Sequence, residues 1–410
     1  MQVSVRSKQS EGQITKPRCQ PCCEVYETWN NPPHIPLTGR VYVQADIMPQ
    51  TCPPPGGVGK HVESRVAMNY RPLGNSGLHA SVVGLGTWVL GGGSVWGTDT
   101  DDAESIRTIH AALEAGINLI DTAPAYGWGR SEEIVGKAIK GRRDRVILAT
   151  KCGLWTDDDR GSFFTELDGR IMRRSLRPDT ITIEIERSLQ RLGADCIDLY
   201  QTHWPSCPPD ATSISDTMAC LLKLRDAGKI RAIGVCNVSP AELEENLRCG
   251  SGAVVSDQFR YSMLHRDPEN DVLPCCARHH LATLTYMSLE QGLLTGQVGM
   301  DRVFGKDEFR SNEAWNPWYL PANRRRVLDL LDVWRGLTRQ YQCTLAQLVL
   351  AWTATQPGVT HVLCGARHVG QAKDNAAAGN LSLAPEDIRQ MRRDVEALGE
   401  PIHEAAAVTA

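Results

Sequence analysis

The sequence predicts an α/β chain folded as a parallel (β/α)8 TIM barrel, preceded by an N-terminal extension read as disordered. Three observations predict it. From Met68 onward, eight short β-branched runs alternate with amphipathic helical stretches. Six successive runs end in a residue able to hydrogen-bond, carry charge or stack, and a parallel barrel carries its chemistry at those ends. The 410 residues suffice to bury a barrel's core. The strand count alone would also admit an open doubly wound sheet, so the strand-end pattern decides.

In chain order, residues 1–67 hold Pro-rich stretches, Cys19, Cys22, Cys23, a lone Cys52 and the run PPPGG, with no sustained hydrophobic period. Such a segment buries too little apolar surface to offset its ordering entropy, and it equally resembles a mis-assigned start. Residues 68–400 read as the barrel and 401–410 as a tail. The expected strands are 81–84, 118–121, 145–150, 196–202, 230–235, 253–257, 281–286 and 360–363. Between them, Ile181, Ile185, Leu189 and Leu192 form an i, i+4, i+8, i+11 stripe. Ser239, Pro240 and Glu242 supply an N-cap, an N1 proline and a capping box.

The strand ends carry Asp121, Lys151, His203, Asn237, Gln258 and Tyr286, with Arg367 just past strand eight. Tyr126 follows Asp121 in a glycine-containing loop. A phenol with an ordinary pKa near 10 is a poor acid unless its anion is stabilised. An ammonium at Lys151 would favour the phenolate, and Asp121 would hold that ammonium charged. His203 would share the proton or orient a carbonyl oxygen while hydride reaches the carbon. This chemistry requires no metal.

With 41% hydrophobic and 22% charged residues and a net charge of −4, the composition is that of a globular protein with no pull toward nucleic acid. No run is long and apolar enough to span a membrane and no signal-peptide profile opens the chain, so a cytoplasmic location is expected. The 14 cysteines are scattered, several within expected strands or helices, and read as mostly reduced. GGVGKH (56–61) fails as a phosphate loop, with Pro54 at the first glycine's place and His61 after the lysine. Cys19, Cys22 and Cys23 with Cys52 or His34 lack the paired spacing of a zinc site.

Several segments resemble the aldo-keto reductases: GLGTW (84–88), INLIDTAPAYGWGRSEEIVGKAIKG (117–141), ILATKCG (147–153), IDLYQTHWP (197–205), GKIRAIGVCNVSP (228–240), GLLTG (292–296) and CGARHVGQAKDNAAA (364–378). They occur in the family's order over roughly 68–400 and look nearest to the bacterial-type branch of sugar-aldehyde and general-stress reductases. The resemblance implies an NADPH-dependent reduction of an aldehyde or ketone. It makes Tyr126 the general acid, Lys151 its partner, Asp121 the paired carboxylate and His203 the fourth catalytic residue. It sets Cys236, Asn237 and Gln258 at the nicotinamide carboxamide, with Cys236 in place of the usual serine and so a weaker donor. Tyr286 would stack on the nicotinamide, and Ser288 and Leu289 would follow it along the cofactor. Met287 and Ser288 stand where Ser-Pro is usual, which is expected to loosen the pyrophosphate contacts. Gly365, Arg367, Gln371 and Asn375 resemble the adenosine 2′-phosphate site, with Asp374 where a glutamate is common; a guanidinium suits a phosphate.

A second implication of the resemblance is a cofactor-sensing regulatory subunit, as the potassium-channel β-subunits of the superfamily are. Trp88, Trp155 and Trp204 neighbour strand ends and are expected to line the substrate pocket or to pack around the barrel mouth. The segments 154–177 and 297–322 are the most individual parts of the mouth. The first is rich in charges (Asp157, Asp158, Asp159, Arg160) and the second in aromatics (Phe304, Phe309, Trp315, Trp318, Tyr319), and the resemblance to the branch, rather than these residues, implies a polar aldehyde or sugar-like carbonyl substrate.

Overall fold

The computed structural model describes residues 68–97, 101–305, 308–312 and 314–403. The expectations for 1–67, and for all but the first three residues of the 401–410 tail, lie outside the described residues. Eight parallel strands close into a barrel: β1 (Val83–Gly86), β2 (Leu119–Asp121), β3 (Ile147–Cys152), β4 (Ile197–Thr202), β5 (Ile230–Cys236), β6 (Val254–Arg260), β7 (Ala282–Tyr286) and β8 (His361–Gly365). Each strand pairs with its sequence neighbours, and β8 closes on β1 through Cys364 opposite Leu85. All eight expected strands are present.

Boundaries differ where backbone pairing and hydrophobicity part company. The first strand starts at Val83 rather than 81, because His79–Ser81 pairs antiparallel with Tyr70–Pro72. β6 runs on to Arg260, since Gln258 and Arg260 still pair with β7 although their side chains are polar. The Tyr70–Ser81 hairpin forms the floor. Its Leu73, Leu78 and Ala80 join Leu119, Ile147, Ala149, Leu199, Ala232, Val255, Ala282, Leu284 and Leu363 in the barrel interior. Gly74 makes the approach possible: at φ +56°, a Cβ there would lie 2.2 Å from the Val255 carbonyl oxygen.

The helical stripe behaves as its spacing predicts. In the helix Pro178–Leu192, Ile181, Ile185 and Leu192 are buried against the sheet, with Leu189 packed at the edge. Ser239 and Glu242 form the capping box on Pro240–Cys249. Cys152, Cys220, Cys236, Cys275, Cys276 and Cys364 are buried free thiols, most of them inside these elements. Among the described residues no helix is long and apolar enough to cross a membrane.

The mouth carries an antiparallel sheet that the sequence reading did not foresee, made of Leu154–Trp155, Ser162–Leu167 and Arg170–Arg174. Glu290–Thr295, Phe309–Ser311 and Pro317–Tyr319 form short 3-10 turns, and Leu293, Leu294, Trp318 and Tyr319 among them belong to a second apolar cluster.

Candidate active site

Side-chain alternation and strand ends assemble the site from four directions. Asp121 ends β2 and Lys151 lies one residue from the end of β3. His203 follows β4, and Tyr126 hangs from the loop between β2 and the helix Arg130–Ile139. That loop is pressed down by glycine: a Cβ at Gly91 would meet the Tyr126 carbonyl carbon at 2.7 Å.

The Lys151 ammonium has three N–H bonds and three acceptors. It donates to Asp121 Oδ1 at 2.5 Å, to the Thr122 carbonyl at 3.0 Å and to Tyr126 Oη at 3.1 Å. Because Lys151 donates to the phenol oxygen, the Tyr126 proton is left to point elsewhere. The His203 ring stands edge-on to Tyr126, with centroids 5.8 Å apart. Asp121 Oδ2 is held in turn, accepting from Gln201 Nε2 and Gln258 Nε2, each at 3.0 Å. Gln258 Nε2 also donates to Gln201 Oε1 at 3.1 Å, so both its hydrogens are committed.

These contacts set the electrostatics. Withdrawal from water pushes the Tyr126 phenol up to about 12, against the opposing pull of Lys151. The expectation that the ammonium favours the phenolate holds in direction, but desolvation outweighs it. For Lys151 burial works against the charge, yet Asp121 and Tyr126 together hold the ammonium above its ordinary value. His203 is driven well below the usual histidine range, first by desolvation and then by Lys151, so its imidazole is neutral at pH 7. Burial likewise keeps Cys236 a thiol.

Residues expected along a cofactor are distributed around this centre. Asn237, at φ +58°, donates to the His203 carbonyl at 3.0 Å and accepts from the Tyr286 hydroxyl at 2.7 Å. Among the described residues Cys236 Sγ reaches only Gln201 Oε1, at 3.9 Å. Ser288 is buried, its hydroxyl 3.3 Å from the Tyr261 carbonyl, and Leu289 packs against the core. At the end of β8, Arg367 donates to the Trp96 carbonyl at 2.8 Å, and its backbone N–H is held by Gln371. Asn375 donates to the Gly365 carbonyl at 3.0 Å. Asp374 is occupied by Thr344 and Gln347.

Trp96, missed by the sequence reading, carries the Arg367 guanidinium 5.6 Å and that of Arg310 5.9 Å from its ring. The buried donors Trp96 Nε1 and Arg310 Nε have no partner among the described residues. Arg367, Arg310 and the Trp96 indole thus gather donors past the end of β8, with Arg310 also paired to Glu308.

The three expected pocket tryptophans divide. Trp88 lies 6.1 Å from Tyr126 and 5.2 Å from Phe309, ring to ring, and Trp204 packs on Phe164 at 5.6 Å. Trp155, by contrast, is 2% exposed, donates to Asp158 and is covered by Arg160 at 4.6 Å, so it packs beneath the mouth rather than lining an open pocket. The nearby charges are also spent locally: Asp158 pairs with Arg160, Arg160 with Asp179, and Arg187 with Asp157. Gln201 could have been found in the sequence, since two-residue alternation puts it on the same inward face as Leu199 and His203.

The chain matches the model of the aldo/keto reductase family over residues 82–395. It is 43% identical over 329 residues to the NADH-specific methylglyoxal reductase of Escherichia coli (strain K12), covering 80% of this chain and 98% of that one. It is 38% identical over 340 residues to aldo-keto reductase YhdN of Bacillus subtilis (strain 168), covering 82% and 96%. Among solved structures, the glycerol dehydrogenase AKR11B4 from Gluconobacter oxydans superposes with a TM-score of 0.69 at 34% identity, covering 83% of this chain and 98% of that one. An aldo/keto reductase from Klebsiella pneumoniae in complex with NADP and acetate gives 0.60 at 26%, covering 80% and 95%. With its closed barrel, its strand-end residues and a family match spanning most of its length, this chain belongs to the aldo/keto reductase family of oxidoreductases.

Proposed function

We propose that the protein reduces an aldehyde or ketone to the alcohol with NADPH, Tyr126 serving as the general acid. The observation that carries this reading is the Lys151 ammonium, which spends one of its three hydrogens on the Tyr126 oxygen and so leaves the phenol proton free for a substrate. NADPH, when bound, supplies the hydride. Everything else falls to the chain. Neutral His203 and the Tyr126 hydroxyl hold the carbonyl oxygen, and Tyr126 gives up its proton as negative charge develops there. Lys151, kept charged by Asp121, stabilises the tyrosinate left behind. Asn237 offers its side chain, and Gln258 its remaining amide oxygen, to a nicotinamide carboxamide, with Tyr286 beside them to stack.

The preference for NADPH rests on Arg367. Its guanidinium has no carboxylate partner among the described residues. Asp374, the nearby acid that could bind a ribose hydroxyl, is already engaged by Thr344 and Gln347. The name of the Escherichia coli relative points the other way, toward NADH. Fluorescence titration with each cofactor decides. NADPH binding at least about tenfold tighter, with the difference lost in Arg367→Met, is expected from one charge-assisted contact. Equal affinities, or tighter NADH, would refute the preference and leave the reductase reading to stand on turnover of an aldehyde panel.

A further inference from the structure

The Arg170–Arg174 strand at the mouth carries three arginines, Arg170, Arg173 and Arg174, and none of them makes an ion pair among the described residues. Earlier in the same segment, Asp157 pairs with Arg187, and Asp158 and Arg160 pair with one another. Arg170 lies 5.2 Å from the ring of Trp128, two residues past Tyr126, and Arg174 packs against the residue after His203. The Arg174 guanidinium lies 4.8 Å from the centroid of that residue, Trp204, and 4.8 Å from that of Phe164. The two rings pack on one another at 5.6 Å, so the guanidinium rests against a continuous aromatic surface. Cation–π contacts of this kind fix a guanidinium's plane while leaving its in-plane N–H groups unspent. Arg174 is partly buried, and no hydrogen bond from its side chain is seen among the described residues. A partly desolvated, oriented fork of donors without an acid is what a carboxylate completes, with two parallel hydrogen bonds.

We propose that Arg174 is a specificity-determining residue that recognises a carboxylate on the carbonyl substrate, so that the favoured substrates are aldehydes or ketones with an apolar body and a carboxylate at one end. Trp88, Trp204 and Phe164 contact the apolar body. This rests on the reductase reading above and names the substrate class for the same site.

The test compares near-isosteric pairs, 3- and 4-carboxybenzaldehyde against their methyl esters, by kcat/KM with NADPH. The two positions bracket the unknown span between Arg174 and the carbonyl. Wild type is expected to favour at least one acid over its ester by about tenfold or more, with the ratio falling as salt is raised. Arg174→Met keeps an apolar stem against the rings and is expected to lower the acid-to-ester ratio by about 10- to 100-fold, mainly through KM. Arg174→Lys recovers part of it. Because a ratio within one variant is read, a general loss of folded enzyme does not imitate the effect. Ratios near one in wild type, or unchanged in Arg174→Met, overturn the proposal while leaving the reductase reading intact. No turnover of any aldehyde overturns both.

Discussion

Replacing Lys151 by Met tests whether the buried pair with Asp121 is catalytic or only structural. Its Nζ lies 2.5 Å from Asp121 Oδ1, with the two side chains 1% and 3% exposed. Removing one partner of such a pair leaves an uncompensated buried charge, at a cost of about 3–5 kcal/mol out of a typical total of about 5–15. Lys151→Met is therefore expected to lower the urea midpoint sharply at pH 7. The neutral double variant Asp121→Asn/Lys151→Met should recover most of the loss, because the Asn oxygen still accepts from Gln201 and Gln258. Activity follows a different course. Both variants lose the donor to the Tyr126 oxygen, and removal of one such donor costs about 10²–10³ in kcat. Stability returning while turnover stays at the floor is the expected outcome. If turnover returns with stability, Lys151 is a structural cation and the role given to it here is wrong.

Three further outcomes follow from the same geometry. Desolvation lifts Glu184 to about 8, so in the folded protein it holds a proton that the unfolded chain releases above about 4.5. Its contribution to stability is full below that value and is lost as pH rises through 8; thermal melts of Glu184→Gln should be flatter than wild type from pH 5 to 9, and parallel curves would refute this. With the Tyr126 phenol at about 12, kcat/KM for carbonyl reduction should be level from pH 6 to 9, while alcohol oxidation, which needs the tyrosinate, should climb throughout; a reduction rate halved by pH 8 would contradict it. Gln201→Leu removes one of two donors to Asp121 Oδ2 and is expected to lower kcat about tenfold with KM little changed; an effect on KM alone would mean that Gln201 does not position Asp121.

Much of this site was legible because two constraints coincide. The strand ends of a parallel barrel bring Asp121, Lys151 and His203 together whatever the loops do, and the motif spacing supplies Tyr126. Other parts left weaker traces. The sheet over the mouth lacks apolar alternation, since the apolar residues of Ser162–Leu167 and Arg170–Arg174 come largely in adjacent pairs, Phe163–Phe164 and Ile171–Met172. Its one clear signal is the turn Asp168–Gly169, with both residues at positive φ. The two readings left open for Trp155 could not be separated, because a tryptophan after a strand end looks the same in sequence whether it faces the mouth or is folded under it by Arg160. The buried acids Glu184 and Asp257 have no sequence signature, because the polar face of a helix or strand does not announce which of its residues is enclosed.

The central claim is tested most directly by a single-turnover measurement on Tyr126→Phe. Cofactor binding is first fixed by fluorescence titration, and NADPH oxidation is then followed after rapid mixing with a wild-type substrate. The account predicts NADPH affinity within about threefold of wild type, and hydride transfer slowed by about 10³ or more as the acid is lost. Transfer at the wild-type rate with the proton donor gone would contradict it and show that Tyr126 is not the acid.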